Sequence, residues 1–252
     1  MTAPAEGLAN AARAFPVRAC AIVLVAIVAH AGGASAAVGA HRTAAVKRTQ
    51  ELVLLLTTHV AVSAPGASPS TGEPVPASRP ITREQTTLPV VGRATTAAGF
   101  IWLHVMLPGR PNGRRAWIEK RGTVLTTSHW HILVRTAIRR VLVYRDGKLD
   151  RSFPAVVGKP STPTPHGQFF VEESVRMLPG AAGAPFALAL SARSNALQEF
   201  EGGPGQIAIH GLNGLVGVPG TAVSHGCVRL TDHDIRWLAT RITTGVTVTI
   251  AF

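Results

Sequence analysis

The stretch Ile209–Leu230, IHGLNGLVGVPGTAVSHGCVRL, is the most informative part of this 252-residue chain. It contains His210, His225 and Cys227, and Cys227 is one of only two cysteines in the sequence. The other, Cys20, lies in an N-terminal apolar segment that we expect to be removed. The exported protein would then carry one thiol and no second cysteine to pair with it. In an oxidising compartment such a thiol is either reactive or forms an intermolecular bridge, and the glycines and histidines around it favour a reactive thiol.

Residues 1–40 have the three zones of an export signal. Arg13 and Arg18 give a positive start, the eleven residues 19–29 (ACAIVLVAIVA) are apolar, and small residues follow up to Ala40. This apolar core is shorter than the ~20 residues that span a bilayer. We therefore predict a signal peptide, with an uncleaved N-terminal anchor as the alternative. The predicted location is the periplasm or the cell wall.

The net charge of +12 favours an anionic neighbour. The sequence contains no zinc-finger, ribonucleoprotein or basic-helix pattern, which argues against nucleic acid as that neighbour. Together with an export signal, the charge favours the anionic cell envelope as the surface that the protein meets. We expect any membrane association to involve only the N-terminal segment.

The part of the chain between the export signal and residue 128 is predicted as a spacer followed by a small module. Residues 41–87 are rich in Pro, Ser and Ala, which predicts a flexible spacer, although the short apolar run ELVLLL is compatible with a helix or a strand. Residues 88–127 contain two apolar runs separated by PGRPNG. Asn112 and Gly113 supply a hairpin turn, so we predict a small β module of the Src-homology-3 type.

Residues 128–252 are predicted to form one β-rich domain. Alternating apolar and polar residues recur without the spacing of β-α-β units, which favours an antiparallel or mixed β-sandwich. One helix is expected near the C-terminus, with Thr231 as its N-cap and Asp234 completing the capping pattern. Residues 174–205 are predicted as an irregular segment, with 186–194 as part of a lid. The predicted fold class is therefore mainly β.

The first hypothesis for the chemistry makes Cys227 a nucleophile. A cysteine thiol with its ordinary pKa of ~8.5 is mostly protonated at neutral pH, so it needs an adjacent base. His210 ends an apolar strand, which is the rigid position that such a base requires. Gly226 allows the backbone to approach a substrate, and the N–H groups of Gly226 and Cys227 are expected to point at one oxyanion.

Two other hypotheses remain open at this point. Cys and His are zinc ligands, and His225 and Cys227 are close together, but the segment holds no second cysteine and no carboxylate. The simplest alternative is that the histidines and the cysteine are ordinary core or surface residues. The concentration of all three in one glycine-rich segment argues against that alternative.

These residues resemble a known signature. His210-Gly211, followed after a loop by Ser224-His225-Gly226-Cys227-Val228-Arg229-Leu230, closely resembles the signature of the L,D-transpeptidase (YkuD-type) catalytic domain. The resemblance extends over about residues 125–252 and implies a β-sandwich catalytic domain over 128–252. At Asp232 the family often has Asn, and either residue serves at a helix start.

The resemblance implies a specific reaction on peptidoglycan stem peptides. Cys227 would attack the carbonyl of the third residue of a donor tetrapeptide, and His210 would take the thiol proton. The Gly211 carbonyl would orient the His210 ring, which is a backbone role that any residue could fill. D-Ala leaves, and the thioester passes to an acceptor amine to give a 3→3 cross-link. No metal or organic cofactor is implied.

The resemblance also leaves alternatives open. With water as the acceptor the enzyme would be an L,D-carboxypeptidase, and without catalysis the domain would be a wall-binding module. His225, Ser224 and Arg229 are predicted to bind substrate, although Ser224 is also typical of a residue that braces a loop. For Arg229 the partner is expected to be a stem-peptide carboxylate or a structural acid such as Asp232.

Overall fold

The computed structural model describes residues 46–200 and 202–252. The predicted signal peptide or anchor over residues 1–40 lies outside the described residues. Within the described ranges, no helix is both long enough and apolar enough to cross a membrane. The described chain is built on two main β-sheets that meet between Ser128 and Trp130.

The first module spans residues 50–128 and contains seven strands and a 3-10 helix at Pro69–Thr71. Its strands are β1 (Gln50–Leu55), β2 (His59–Ala61), β3 (Glu73–Val75), β4 (Thr87–Thr95), β5 (Ile101–Met106), β6 (Arg115–Glu119) and β7 (Thr123–Ser128). Five of them form an antiparallel sheet in the order β6-β5-β4-β1-β7, while β2 pairs only with β3. Val53, Leu88, Leu103 and Ile118 are fully buried between them.

The flexible spacer predicted over residues 41–87 is wrong for its described part. Strand β1 lies between β4 and β7, where Leu52 pairs with Pro89 on one side and Thr126 on the other. The Pro-rich segment that follows is fixed by backbone hydrogen bonds, such as the one from Thr86 N to the Ala77 carbonyl (2.8 Å). The module therefore begins at β1 and not at residue 88. Its assignment to the Src-homology-3 type stays a prediction.

The second domain contains ten strands and the only α-helix among the described residues. They are β8 (Trp130–Arg135), β9 (Arg140–Arg145), β10 (Lys148–Pro154), β11 (Val157–Gly158), β12 (Gly167–Arg176), β13 (Phe186–Arg193), β14 (Gln206–His210), β15 (Ala222–Ser224), β16 (Val228–Arg229), α1 (Asp232–Ala239) and β17 (Thr247–Ala251). Eight strands form one sheet in the order β10-β9-β8-β17-β12-β13-β14-β16, and β11 pairs with β15. The β8–β17 and β14–β16 pairs are parallel, so the sheet is mixed.

The eight-stranded sheet encloses one apolar core. Strand β12 pairs with β17 through its first half and with β13 through its second half, with a bulge between Val171 and Glu173. Ile132 and Val143 from one end of the sheet share a core cluster with Leu190 and Ile209 from the other end. Such clustering requires the sheet to curl so that its two ends face the same interior. The predicted fold class, mainly β with one helix near the C-terminus, is confirmed.

Two local predictions in the second domain have different outcomes. The N-cap prediction for α1 is confirmed, because Thr231 Oγ1 accepts a hydrogen bond from Asp234 N (3.2 Å), and the helix buries Ile235 and Leu238. The irregular lid predicted around residues 186–194 is wrong. This segment is strand β13, which lies between β12 and β14 in the sheet. Its alternating residues are alanine and leucine, which are both apolar, so the sequence does not show the alternation of apolar and polar residues that is typical of a strand.

Two adjacent carboxylates of β12 join the second domain to the first module. Glu172 pairs with Arg79 of the module and with Arg193 of β13, whose Nη1 lies 2.9 Å from Glu172 Oε1. Glu173 accepts a hydrogen bond from the backbone N–H of Thr82 (2.8 Å). The glutamates are only 2% and 3% exposed. A buried carboxylate needs such partners, so the module completes the environment of β12.

Replacing Glu172 with alanine should destabilise the protein by about 3–5 kcal/mol, because Arg79 and Arg193 then lose the carboxylate that compensates their burial. The measurement is urea unfolding followed by circular dichroism. The matched control is Glu51→Ala, which breaks an exposed pair with Arg93 and should cost about 1 kcal/mol or less. Equal losses in the two variants would contradict a structural role for the buried pair.

Candidate functional site

The parallel pair β14–β16 brings the predicted base and nucleophile onto neighbouring strands. His210 is the last residue of β14 and lies opposite Arg229, and Ile209 lies opposite Val228. Cys227 directly precedes β16, so the register places it diagonally from His210 across this pair. Because Ile209 and Val228 are fully buried, the core fixes both strands.

The backbone fixes the orientation of the His210 ring. Nδ1 lies 2.8 Å from the Gly211 carbonyl oxygen, which can only accept a hydrogen bond, so Nδ1 carries the proton and Nε2 is left as the acceptor. The pKa of His210 is lowered to about 4, mainly by burial, and the charge of Arg229 contributes in the same direction. The hydrogen bond to Gly211 opposes the shift. His210 is therefore neutral at physiological pH and able to accept a proton.

Two glycines allow the chain to enclose His210. At Gly183, where φ is +83°, a Cβ atom would lie 2.7 Å from His210 Nδ1. At Gly211 a Cβ atom would overlap the Ala184 carbonyl oxygen. The expectation that any residue could supply the Gly211 carbonyl is therefore wrong, because only glycine fits between His210 and the 183–184 segment.

Cys227 lies at the partly exposed edge of this arrangement. Its Sγ atom is 3.9 Å from the carbonyl oxygen of Gln206, the first residue of β14. A thiol is a weak donor, so this contact orients the sulfur without strongly holding its proton. The electrostatic interaction of Cys227 with Arg229 raises the pKa of the arginine, against the larger lowering by burial. An anionic sulfur would therefore be stabilised by the neighbouring guanidinium.

The structure corrects the predictions for Ser224 and Gly226. Ser224 is fully buried, and its hydroxyl donates to the Cys227 carbonyl (2.6 Å), so it braces the turn and does not reach a substrate. The Gly226 N–H donates to Ser224 Oγ (3.1 Å) and so points into the turn instead of towards an oxyanion. Gly226 has φ +122°, a conformation that favours glycine, which explains the residue type without an oxyanion role.

The Pro/Thr-rich loop of residues 158–167 supports the same turn, which the sequence did not reveal. Thr162 Oγ1 donates to the Ser224 carbonyl (3.1 Å), and Thr164 Oγ1 donates to the Gly226 carbonyl (2.9 Å). Both threonines are buried. The available signal was the pair of Thr-Pro dipeptides, which indicate a rigid loop but do not identify the segment that it contacts.

Arg229 is a buried cation at the centre of the site. Its Nη1 donates to the Val216 carbonyl (2.6 Å), while its buried Nε has no hydrogen-bond partner among the described residues. In that part of the chain Arg229 forms no ion pair, with Asp232 or with any other acid. Its binding of a stem-peptide carboxylate stays a prediction.

His225 is exposed beside the site. Its ring centroid lies 5.5 Å from that of Phe200, a residue in the segment between β13 and β14, so the two rings form one aromatic surface. His225 precedes Cys227 by two residues in the sequence. Phe200 was not identified from the sequence. No group of three or more His, Cys, Asp or Glu side chains suited to a metal ion is found within residues 46–200 and 202–252.

Comparison with known proteins identifies the family. The family model for the L,D-transpeptidase catalytic domain (YkuD) matches residues 129–250. The putative L,D-transpeptidase YkuD of Bacillus subtilis is 31% identical over 124 residues, which cover 49% of this chain and 67% of that protein. The chain belongs to the L,D-transpeptidase family.

Other L,D-transpeptidases are also similar to this chain. L,D-transpeptidase 1 of Mycobacterium tuberculosis is 32% identical over 111 residues, covering 41% of this chain and 43% of that protein. Among solved structures, an L,D-transpeptidase from Mycobacterium smegmatis is 17% identical with a TM-score of 0.39, covering 65% of this chain and 98% of its own. L,D-transpeptidase 3 of Mycobacterium tuberculosis, with a faropenem-derived adduct, is 16% identical with a TM-score of 0.40, covering 65% and 94%.

Gly211→Ala should open the enclosure of His210. The added Cβ must push away the Ala184 carbonyl, which gives water access to the ring and removes the main cause of its low pKa. In an NMR titration the pKa of His210 should rise from about 4 towards the ordinary value of about 6.5. The control is Gly92→Ala, whose Cβ would meet nothing closer than 3.4 Å. An unchanged His210 titration in the Gly211 variant would show that glycine is not needed there.

Proposed function

We propose that this chain is a peptidoglycan L,D-transpeptidase in which Cys227 carries a thioester. The observation that best supports this is the hydrogen bond from His210 Nδ1 to the Gly211 carbonyl, which leaves Nε2 unprotonated on the strand next to Cys227. A neutral imidazole paired with a thiol is the arrangement for acyl transfer by a cysteine. Membership of the L,D-transpeptidase family supports a peptidoglycan stem peptide as the acyl donor.

In the proposed acylation step, His210 Nε2 takes the thiol proton as Cys227 Sγ attacks the carbonyl of the third donor residue. The tetrahedral intermediate collapses when the bond to D-Ala breaks, and the proton on His210 passes to the departing amine. The product is a thioester on Cys227. All atoms come from the donor and the enzyme, so no cofactor enters the step.

The proposed stabilisation of the oxyanion differs from the expectation based on sequence. The Gly226 N–H is held by Ser224, so we assign the oxyanion contact to the backbone N–H of Cys227. The buried guanidinium of Arg229 supplies positive charge next to the nucleophile. Its Nη1 donates to the Val216 carbonyl (2.6 Å), which holds the guanidinium near Cys227.

In the proposed second step an acceptor amine attacks the thioester while His210 takes the amine proton. The Cys227 thiolate leaves and is reprotonated, and the new amide is a 3→3 cross-link. The stem peptides are exposed outside the cytoplasmic membrane, so the proposal places the protein in the periplasm or the cell wall. The export-type segment of residues 1–40 and the net charge of +12 support that location.

The nucleophile is tested by intact mass after incubation with a disaccharide-tetrapeptide donor. Wild-type protein should gain the mass of the acyl group without D-Ala, and Cys227→Ala should gain none. His210→Gln should form the adduct about 10²–10⁴-fold more slowly, because it loses the general base. The control for the histidine is His233→Gln, an exposed position on α1 that should react at the wild-type rate.

The products distinguish the proposed reaction from its alternatives. A cross-linked dimer supports transpeptidation, whereas a free tripeptide alone identifies an L,D-carboxypeptidase. Binding of the donor without release of D-Ala would identify a wall-binding module. An adduct that persists in Cys227→Ala would overturn the assignment of the nucleophile.

The pH dependence of acylation provides a separate test. Since burial lowers the pKa of His210 to about 4, the base stays neutral at pH values where an ordinary histidine is protonated. The acid limb of the acylation rate should therefore lie well below pH 6.5. Unfolding must be monitored in parallel, because the pKa difference makes stability fall as pH decreases from about 6.5 to about 4. An acid limb at or above pH 6.5 in folded protein would contradict this role.

A further inference from the structure

A groove rich in arginine and tryptophan lies outside the His210–Cys227 site. It is a cavity of about 380 Å³ lined by Trp130, Arg145, Asp150, Arg151, Trp237 and Arg241. We call it the Arg/Trp groove. The strands that contribute to its lining are β8, β9 and β10. They lie at one end of the eight-stranded sheet, and β14 and β16 lie at the other end. The cysteine reaction uses none of these residues.

The fold brings these side chains together from three strands, the helix and the turn that follows it. Trp130 and Arg145 are directly paired across β8 and β9, so their side chains share a face. The register shift in β10 after Leu149 re-aims the residues that follow, including Arg151. Trp237 of α1 meets Trp130 edge to face, with centroids 6.3 Å apart. Packing of both indoles against the main core makes the floor of the groove rigid.

The indole rings hold the arginines in defined positions. Arg145 lies over the Trp130 ring at 5.4 Å, and Arg241 and Arg151 lie over the Trp237 ring at 4.4 Å and 5.4 Å. Such stacking uses the flat face of a guanidinium and leaves donors at its edge. Those donors match the two oxygens of a carboxylate or a phosphate.

The arginines are only weakly neutralised by the protein. The side chain of Arg151 makes no hydrogen bond or ion pair within the described residues, and Arg145 Nε lies 4.0 Å from Asp146 Oδ2. Arg241 donates to the Trp237 carbonyl (3.1 Å) and to Thr240. Three cations face one lining carboxylate, that of Asp150, so the groove carries excess positive charge. This excess favours an anionic ligand.

A second cavity continues the groove towards the first module. Its volume is about 580 Å³, and it shares Trp130, Arg145 and Arg241 with the Arg/Trp groove. The remaining wall includes the paired side chains of His129 and Asp146 (2.6 Å) and a set of hydroxyl groups, from Thr87, Thr126, Thr127, Ser128, Thr243 and Thr244. Hydroxyl groups both donate and accept hydrogen bonds, so this wall suits a ligand that is itself rich in hydroxyl groups.

We propose that the Arg/Trp groove and its hydroxyl-lined continuation bind an anionic saccharide chain. The acidic groups of the chain contact the edges of Arg145, Arg151 and Arg241, and its hydroxyl groups contact the threonine wall. Nucleic acid fits less well, because guanidinium groups already lie over the indole rings on which bases would stack. The inference does not depend on the thioester chemistry, because binding can be measured without turnover.

The test is a titration of the full chain carrying Cys227→Ala with hexagalacturonate, followed by calorimetry. Three probes separate the contributions. The methyl ester of hexagalacturonate keeps the hydroxyl groups and removes the charge, hexaglutamate keeps charge without sugar, and a six-nucleotide single-stranded DNA represents nucleic acid. We expect hexagalacturonate to bind at least about tenfold more tightly than each of the others, and its affinity to fall with salt.

Two charge-matched double variants test the location. Arg145→Gln with Arg151→Gln removes two cations of the groove and should weaken hexagalacturonate binding about tenfold or more. Arg176→Gln with Arg236→Gln removes two exposed cations elsewhere and should change binding less than about threefold. Thermal melts establish that both variants fold. Equal weakening in the two variants, or hexaglutamate or DNA binding as tightly as hexagalacturonate, would overturn the proposal, and so would the absence of binding.

Discussion

Strand β12 belongs to two cores at once, and the rest of the structure depends on this constraint. Its alternation places Phe169 in the core of the second domain and Phe170 in the core of the first module. Two residues later, Glu172 pairs with Arg79 of the module. Without the module, an aromatic ring would be exposed and a buried carboxylate would lose a partner. The two sheets are therefore energetically one unit, although each has its own strand order.

This shared strand also reaches the candidate site. Gln206 Nε2 donates to Glu172 Oε1 (3.2 Å), and the Gln206 carbonyl is the oxygen next to Cys227 Sγ. The first residue of β14 thus contacts the buried ion pair through its side chain and the thiol through its backbone. His210, at the other end of the same short strand, has its position set by the pairing with β16. The positions of the proposed nucleophile and base therefore rest on contacts that continue into the first module.

The sequence predicted the strongly periodic elements of the fold and missed those defined by long-range partners. The helix near the C-terminus and its N-cap were predicted because their signals are local. The composition of residues 41–87, which is poor in large apolar residues, predicts a spacer. In the structure β1 is inserted between two strands far away in the sequence, and backbone hydrogen bonds order the residues that follow it up to 87. Composition measures the apolar surface of a segment but not the surface that another segment supplies to it.

In the candidate site, too, the sequence predicts residue types but not the contacts that other segments make with them. The motif predicts Cys227 and His210 as nucleophile and base, since these proposed roles depend on residue type. It did not show where a backbone N–H points: Gly226 turns its N–H towards Ser224, and the serine is buried by that contact. Gly211 shows the converse, because its role was assigned to the carbonyl alone while the fold requires the absence of a side chain. A glycine in a motif can thus reflect packing around a reacting group as well as access to substrate, and only the surrounding contacts distinguish the two.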